Sequence, residues 1–97
     1  MTDFAGYEMP VEFAGVMQEH LAVRTKAGLF DVSHMGEFFV EGADADSFLQ
    51  KLTPNDVSRL ATGQAHYSAL TTDRGTFIDD LLISRIGEGR FFLVVNA

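Results

Sequence analysis

The chain of 97 residues has no cysteine and no tryptophan, only two prolines and two tyrosines, and seven basic residues against fourteen acidic ones. Without cysteine there is no disulfide, no thiolate metal ligand and no cysteine nucleophile, which fits a reducing compartment. The formal net charge of −7, with Lys and Arg scattered, argues against a phosphate-backbone partner, so nucleic acid is not expected. No apolar run reaches the roughly 18 to 20 residues of a membrane span, and the first six residues lack the basic and apolar regions of a signal peptide. No membrane association is therefore expected. His20, His34 and His66 share no ligand spacing, so no metal site is expected either.

What the chain does have is apolar bulk: 46% hydrophobic residues, nine of them Phe. Phe has no polar tip to satisfy and marks core, and a chain of this size supports one core. Residues 3–10 mix aromatics with Gly and Pro and read as an extended, packed loop. Good helix formers over residues 16–27 predict a helix stopped by Gly28. Residues 29–32 read as a short strand and residues 36–41 as a second, with Ser33-His34-Met35 as the loop between them. Ala45, Phe48, Leu49 and Leu52 fall at helical spacing, and Thr53-Pro54 ends that helix. Residues 55–63 read as a turn-rich link. Strands are predicted over residues 65–70, 76–86 and 90–95, joined by two Gly-containing hairpins. Two helices set against an antiparallel meander give an α+β fold, a two-layer antiparallel sheet with helices on one face, ferredoxin-like in its pairing.

Three groups of residues could carry chemistry. Asp79 and Asp80 lie inside an apolar strand candidate, where neighbours face opposite sides, so one carboxylate points inward or into a cavity unless both cap the hairpin. Asp31, Ser33 and His34 lie in one tight loop. Triads converge from separate elements, so these three are expected to shape the turn. Tyr67, Asp80 and Asn96 fall on one face of three neighbouring strands if the meander pairs as predicted, and an aromatic plate, a carboxylate and an amide suit a flat heterocycle with donors and acceptors along its edge.

Several blocks then resemble one known family in order and spacing. They are Phe4-Ala5-Gly6-Tyr7-Glu8-Met9-Pro10, Glu19-His20 with Val23-Arg24, and the run from Ala27 through Asp31-Val32-Ser33-His34-Met35-Gly36-Glu37. Further along come Thr53-Pro54-Asn55-Asp56-Val57, Tyr67-Ser68, Phe77-Ile78-Asp79-Asp80-Leu81 and Val94-Val95-Asn96-Ala97. Together they resemble the glycine cleavage T protein family, the aminomethyltransferases. Tyr7 stands where that family usually has Trp, and Gly75-Thr76 where it has a Gly pair.

The resemblance implies folate chemistry: a one-carbon unit passes from an aminomethyl group on the lipoyl arm of the H protein to tetrahydrofolate, with release of ammonia and formation of 5,10-methylenetetrahydrofolate. It implies Asp80 as the catalytic aspartate, Tyr67 and Asn96 as folate-contacting residues, and Met35 in the block lining the same cavity, with Asp79 structural on the opposite face. It further implies that residues 1–97 are part of a folate-binding domain truncated at both ends and inactive alone. The bacterial cytoplasm and the mitochondrial matrix both suit such an enzyme. A folate-dependent demethylase, the folate domain of a sarcosine or dimethylglycine oxidase, and a non-catalytic folate-binding relative are the alternatives. A bare folding unit dimerising through an open strand edge is a further one.

Overall fold

Residues 1–97 are all described by a computed structural model, which divides into two compact units, Met1–His34 and Met35–Ala97. In the first unit, strands β1 (Thr2–Phe4) and β2 (Tyr7–Met9) pair antiparallel. Ala5 and Gly6 join them with φ of 53° and 83°, the two positive values a tight two-residue hairpin turn requires. The extended loop expected for residues 3–10 is thus a hairpin. Its turn carries Ala where Asn or Asp is the usual signal, which is why composition does not reveal it.

Helix α1 spans Val16–Thr25, two residues shorter than predicted, because Lys26 leaves helical geometry after its N–H bonds Ala22 O. Gly15 supplies no side-chain cap. Instead the Glu19 carboxylate reaches back and accepts the N–H groups of Phe13, Ala14 and Gly15 at 2.6, 2.7 and 3.2 Å. Those donors, Phe13 first and Ala14 next, hold Glu19 below its ordinary carboxylate pKa. The helix buries none of its residues. Residues 29–32, expected as a strand, pair with nothing. The Asp31 carboxylate takes both the N–H and the hydroxyl of Ser33, closing a turn where a strand would have to continue.

The second unit holds one four-stranded antiparallel sheet in the order β3-β6-β5-β4, with β3 Gly36–Glu41, β4 Ala65–Thr71, β5 Phe77–Gly87 and β6 Arg90–Val95. The α+β class holds, whereas the ferredoxin-like pairing does not. That pairing needs a second helical crossover, and here both connections among β4, β5 and β6 are hairpins too short to contain a helix. The three strands form a meander whose last member returns beside β3.

Helix α2 (Ala45–Leu52) covers one face of this sheet. It ends where Thr53 bonds Leu49 O through both its N–H and its hydroxyl, just before Pro54. The turn-rich link folds into a single 3-10 turn, Val57–Arg59, capped by Asp56. The Ser58 hydroxyl, and with it the Ser58 N–H, lowers the Asp56 pKa. Ala45, Leu49, Val57 and Leu60 meet Leu81, Ile83, Phe91 and Leu93 in one cluster. Burying each of the larger side chains contributes about 1.5–3 kcal/mol. Arg85 crosses this layer: it pairs with Asp46 of α2, and its guanidinium lies 4.5 Å from the centre of the Phe91 ring.

Gly89, in the β5–β6 hairpin, has φ of 59°, and a Cβ there would stand 2.8 Å from the Gly42 carbonyl oxygen. The Gly89 carbonyl meanwhile accepts Gly42 N–H at 2.9 Å. Gly89→Ala therefore combines a left-handed backbone with a collision against main chain. It is expected to cost about 2 kcal/mol, read as a lowered thermal midpoint with Gly87→Ala as control.

Candidate functional site

The four strands have two faces, and α2 covers only one. Along β5, Leu81, Ile83 and Arg85 turn toward the helix while Asp80, Leu82 and Ser84 turn away. Tyr67 on β4 stands opposite Leu82, and Ala69 opposite Asp80. On the other side Leu81 stands opposite Val95. One step beyond that pair, Asn96 comes beside Asp80. Gly36 stands opposite Val95 as well, so one step beyond it Met35 comes beside Asn96. Met35, Asn96 and Asp80 thus form a row across the sheet, and Tyr67 sits diagonally from Asp80, about 7–8 Å away.

Tyr67 is 65% exposed, Asn96 is exposed, and Asp80 and Met35 are half-buried. Around them the face is apolar. Phe39 and Phe92 pack with ring centres 5.2 Å apart, and Phe39 and Leu82 remain largely exposed. Strands β5 and β6 are apolar on both sides, a pattern of sheets covered on both faces. An exposed apolar patch of this kind marks a surface that binds something.

The polar chemistry of the row is concentrated in one amide. Asn96 Nδ2 donates to Asp80 Oδ1 and also, at 3.0 Å, to Asp79 Oδ1. Asp79 Oδ1 additionally accepts the Asp80 N–H at 2.9 Å. Strand alternation does send the Asp79 Cβ to the opposite side, but its carboxylate turns back to the amide that holds Asp80. Asp79 is therefore bonded into the site, a correction to the expectation that it stands apart on the other face. The signal was the position of Asn96, just past the end of β6, where no ladder partner confines its side chain. Asp80 Oδ2 and Asn96 Oδ1 receive no hydrogen bond from the protein, leaving two free acceptors on this pair of side chains.

The loop residues do not enter this site. The Ser33 hydroxyl donates to Asp31, which lowers the Asp31 pKa together with the Ser33 N–H. With its proton committed to a carboxylate and no His contacting it, Ser33 is not an activated nucleophile. The His34 ring stands edge-on to Phe4, centres 5.2 Å apart at 89°.

A cavity of about 770 Å³ lies within the first unit, lined by Tyr7, Phe13, Val23 and Phe30 among others. It contains none of Met35, Tyr67, Asp80 or Asn96. It is a hollow in a unit whose apolar side chains are uncovered, Phe13 at 86% and Leu29 fully, and of the polar groups on its wall Glu12, Glu19, Asp31 and Ser33 are already bonded to their own chain neighbours. The sheet face is the better candidate for chemistry. No helix of the structure is long and apolar enough to cross a membrane.

Comparison with known proteins places the chain in a family. A family model described as the GCVT N-terminal domain matches residues 1–97. An aminomethyltransferase of Exiguobacterium sibiricum is 55% identical over 97 residues, which are all of this chain and 27% of that protein. One of Deinococcus deserti is 53% identical over the same 97 residues, again 27% of its length. The crystal structure of glycine cleavage system aminomethyltransferase T from Bartonella henselae superposes with a TM-score of 0.93 at 46% identity, covering 99% of this chain and 27% of that one. The chain thus spans about a quarter of the length of the relatives it matches. With the match running from the first residue to the last, the chain belongs to the family of GCVT N-terminal domains.

Proposed function

We propose that residues 1–97 are a folate-facing section of a longer aminomethyltransferase. The complete enzyme takes the aminomethyl group carried on the lipoyl arm of an H protein and passes its one-carbon unit to tetrahydrofolate. Ammonia leaves and 5,10-methylenetetrahydrofolate forms. The observation that carries this reading is the shared placement of Tyr67, Asp80 and Asn96 on the one sheet face that α2 leaves open.

The residues present fit a reduced pterin. Its pyrimidine ring is flat, and the edge of that ring carries N–H donors, so the two free acceptors, Asp80 Oδ2 and Asn96 Oδ1, suit that edge. The Tyr67 ring offers an exposed apolar plate, and Leu82, Val94 and Phe92 continue it. Met35, flexible and polarizable, can fill the margin of a bound ring. Asp80 orients the ring and handles a proton as ammonia departs. Holding the folate nitrogen beside the aminomethyl carbon supplies much of the remaining acceleration. The bacterial relatives support a cytoplasmic setting.

The test is product formation by the complete enzyme, assayed anaerobically with the aminomethyl-loaded H protein and tetrahydrofolate. Formation of methylenetetrahydrofolate that depends on both supports the reading. Transfer from an N-methylated amine instead, or folate binding with no turnover, overturns it. Within the same assay Tyr67→Ala is expected to raise the KM for folate by about tenfold, from loss of the aromatic contact. Its kcat should change far less, because the ring touches no reacting proton.

A further inference from the structure

We propose that Asp79 is a positioning residue for the reaction, acting on Asp80 through the side-chain amide of Asn96; the role rests on the aminomethyltransferase reading above. The argument begins with the valence of the amide. Asn96 Nδ2 carries two N–H bonds, and the structure gives each a carboxylate: Asp80 Oδ1 for one and Asp79 Oδ1, at 3.0 Å, for the other. Two acceptors require that the nitrogen, and not the oxygen, of the amide faces them. The orientation of the whole group is thereby fixed.

One acceptor alone would not achieve this. Asn96 lies outside the β6 ladder, is exposed, and has two rotatable side-chain bonds. Bonded only to Asp80, it could swing about that single contact and carry the Asp80 carboxylate with it. Asp79 removes the freedom because it is itself anchored: the same oxygen accepts the Asp80 main-chain N–H at 2.9 Å. The result is a closed ring of contacts running from the Asp80 backbone to Asp79, to Asn96 and back to the Asp80 carboxylate. Within it Asp80 Oδ1 is occupied, and Asp80 Oδ2 and Asn96 Oδ1 are left without a hydrogen bond from the protein. A hold of this kind matters where displacing a reacting group by one ångström costs orders of magnitude in rate.

The test is a double-mutant cycle in the complete enzyme, with Asp79→Ala, Asp79→Asn, Asn96→Ala and the pair Asp79→Ala/Asn96→Ala. Asp79→Ala is expected to lower kcat about tenfold with the folate KM within about twofold. Asp79→Asn, which keeps an Oδ1 acceptor in place, should retain most of the rate. Because Asp79 acts through Asn96, the paired variant should be no slower than Asn96→Ala alone. An Asp79→Ala enzyme at the wild-type kcat, or losses that simply add in the pair, overturns the proposal.

A spectroscopic arm does not depend on turnover or on any variant folding. In the wild-type protein the two Asn96 side-chain amide protons should be resolved by NMR and protected from exchange, and Asp79→Asn should leave them so. Rapidly exchanging, unshifted Asn96 protons in the wild type overturn the proposal even if the enzyme makes product. Protected protons in a protein that makes no methylenetetrahydrofolate would retain the hold and remove the transferase reading instead.

Discussion

Asp80→Asn in the complete enzyme is expected to lower kcat by about a hundredfold, the range lost when a positioned acid-base group is removed. The substitution is nearly isosteric. An Asn at this position keeps the oxygen that accepts from Asn96, so the row across the sheet survives. What disappears is the charge and the second acceptor. Where Oδ2 offers a lone pair to the ring edge, the variant places an NH₂ group, and donor meets donor. The apolar face and Tyr67 remain, so the folate KM should move only a few-fold. Asp79→Asn makes the same chemical change one residue earlier and is expected to keep most of the rate. The contrast between two adjacent carboxylates separates loss of a particular group from loss of negative charge. An Asp80→Asn enzyme close to the wild-type rate would leave transferase activity standing and take Asp80 out of its chemistry.

How far the sequence reveals this site follows from which forces act locally. Strands β3 and β6 match their predicted bounds, and α2 its predicted extent to within one residue, because apolar spacing and a Gly or Pro stop decide them. The shared face of Tyr67, Asp80 and Asn96 follows from strand alternation once the meander is assumed. The β1–β2 hairpin and the absence of a strand over residues 29–32 are not legible, although the turn held by Asp31 and Ser33 is. Each is set by a local hydrogen bond or a backbone angle with no compositional mark. Nor was the strand order, since β3 could pair with either edge of the meander and only tertiary packing chooses. The contact from Asp79 to Asn96 escapes for a related reason. Alternation assigns a face to a Cβ, while a side chain near the end of a sheet can bend round to the other side.

Phe91→Ala is expected to destabilise the second unit by about 3–5 kcal/mol, the cost of emptying a buried aromatic site. Phe91 is completely buried, opposite Val40 on β3 and Arg85 on β5. Its ring also lies against the Arg85 guanidinium. Removing it opens a void beneath the Asp46–Arg85 pair, so water reaches a charge that is now almost covered. Hydrogen exchange of the Ile83 and Leu93 amides in the complete protein reads the effect directly, with acceleration on the order of a thousandfold. Phe91→Leu, which refills most of the volume, should cost far less. The variant also tests how the two faces of the sheet are joined. The residues that pack on α2 and the residues that form the site alternate along β5 and β6, so the register pinned by Phe91 is the register that brings Asn96 to Asp80. Phe91→Ala should lose activity and exchange protection together, whereas Asp80→Asn should lose activity with protection unchanged. Retained protection in Phe91→Ala would mean that β5 and β6 keep their register without this ring, and that the site does not depend on the core behind it.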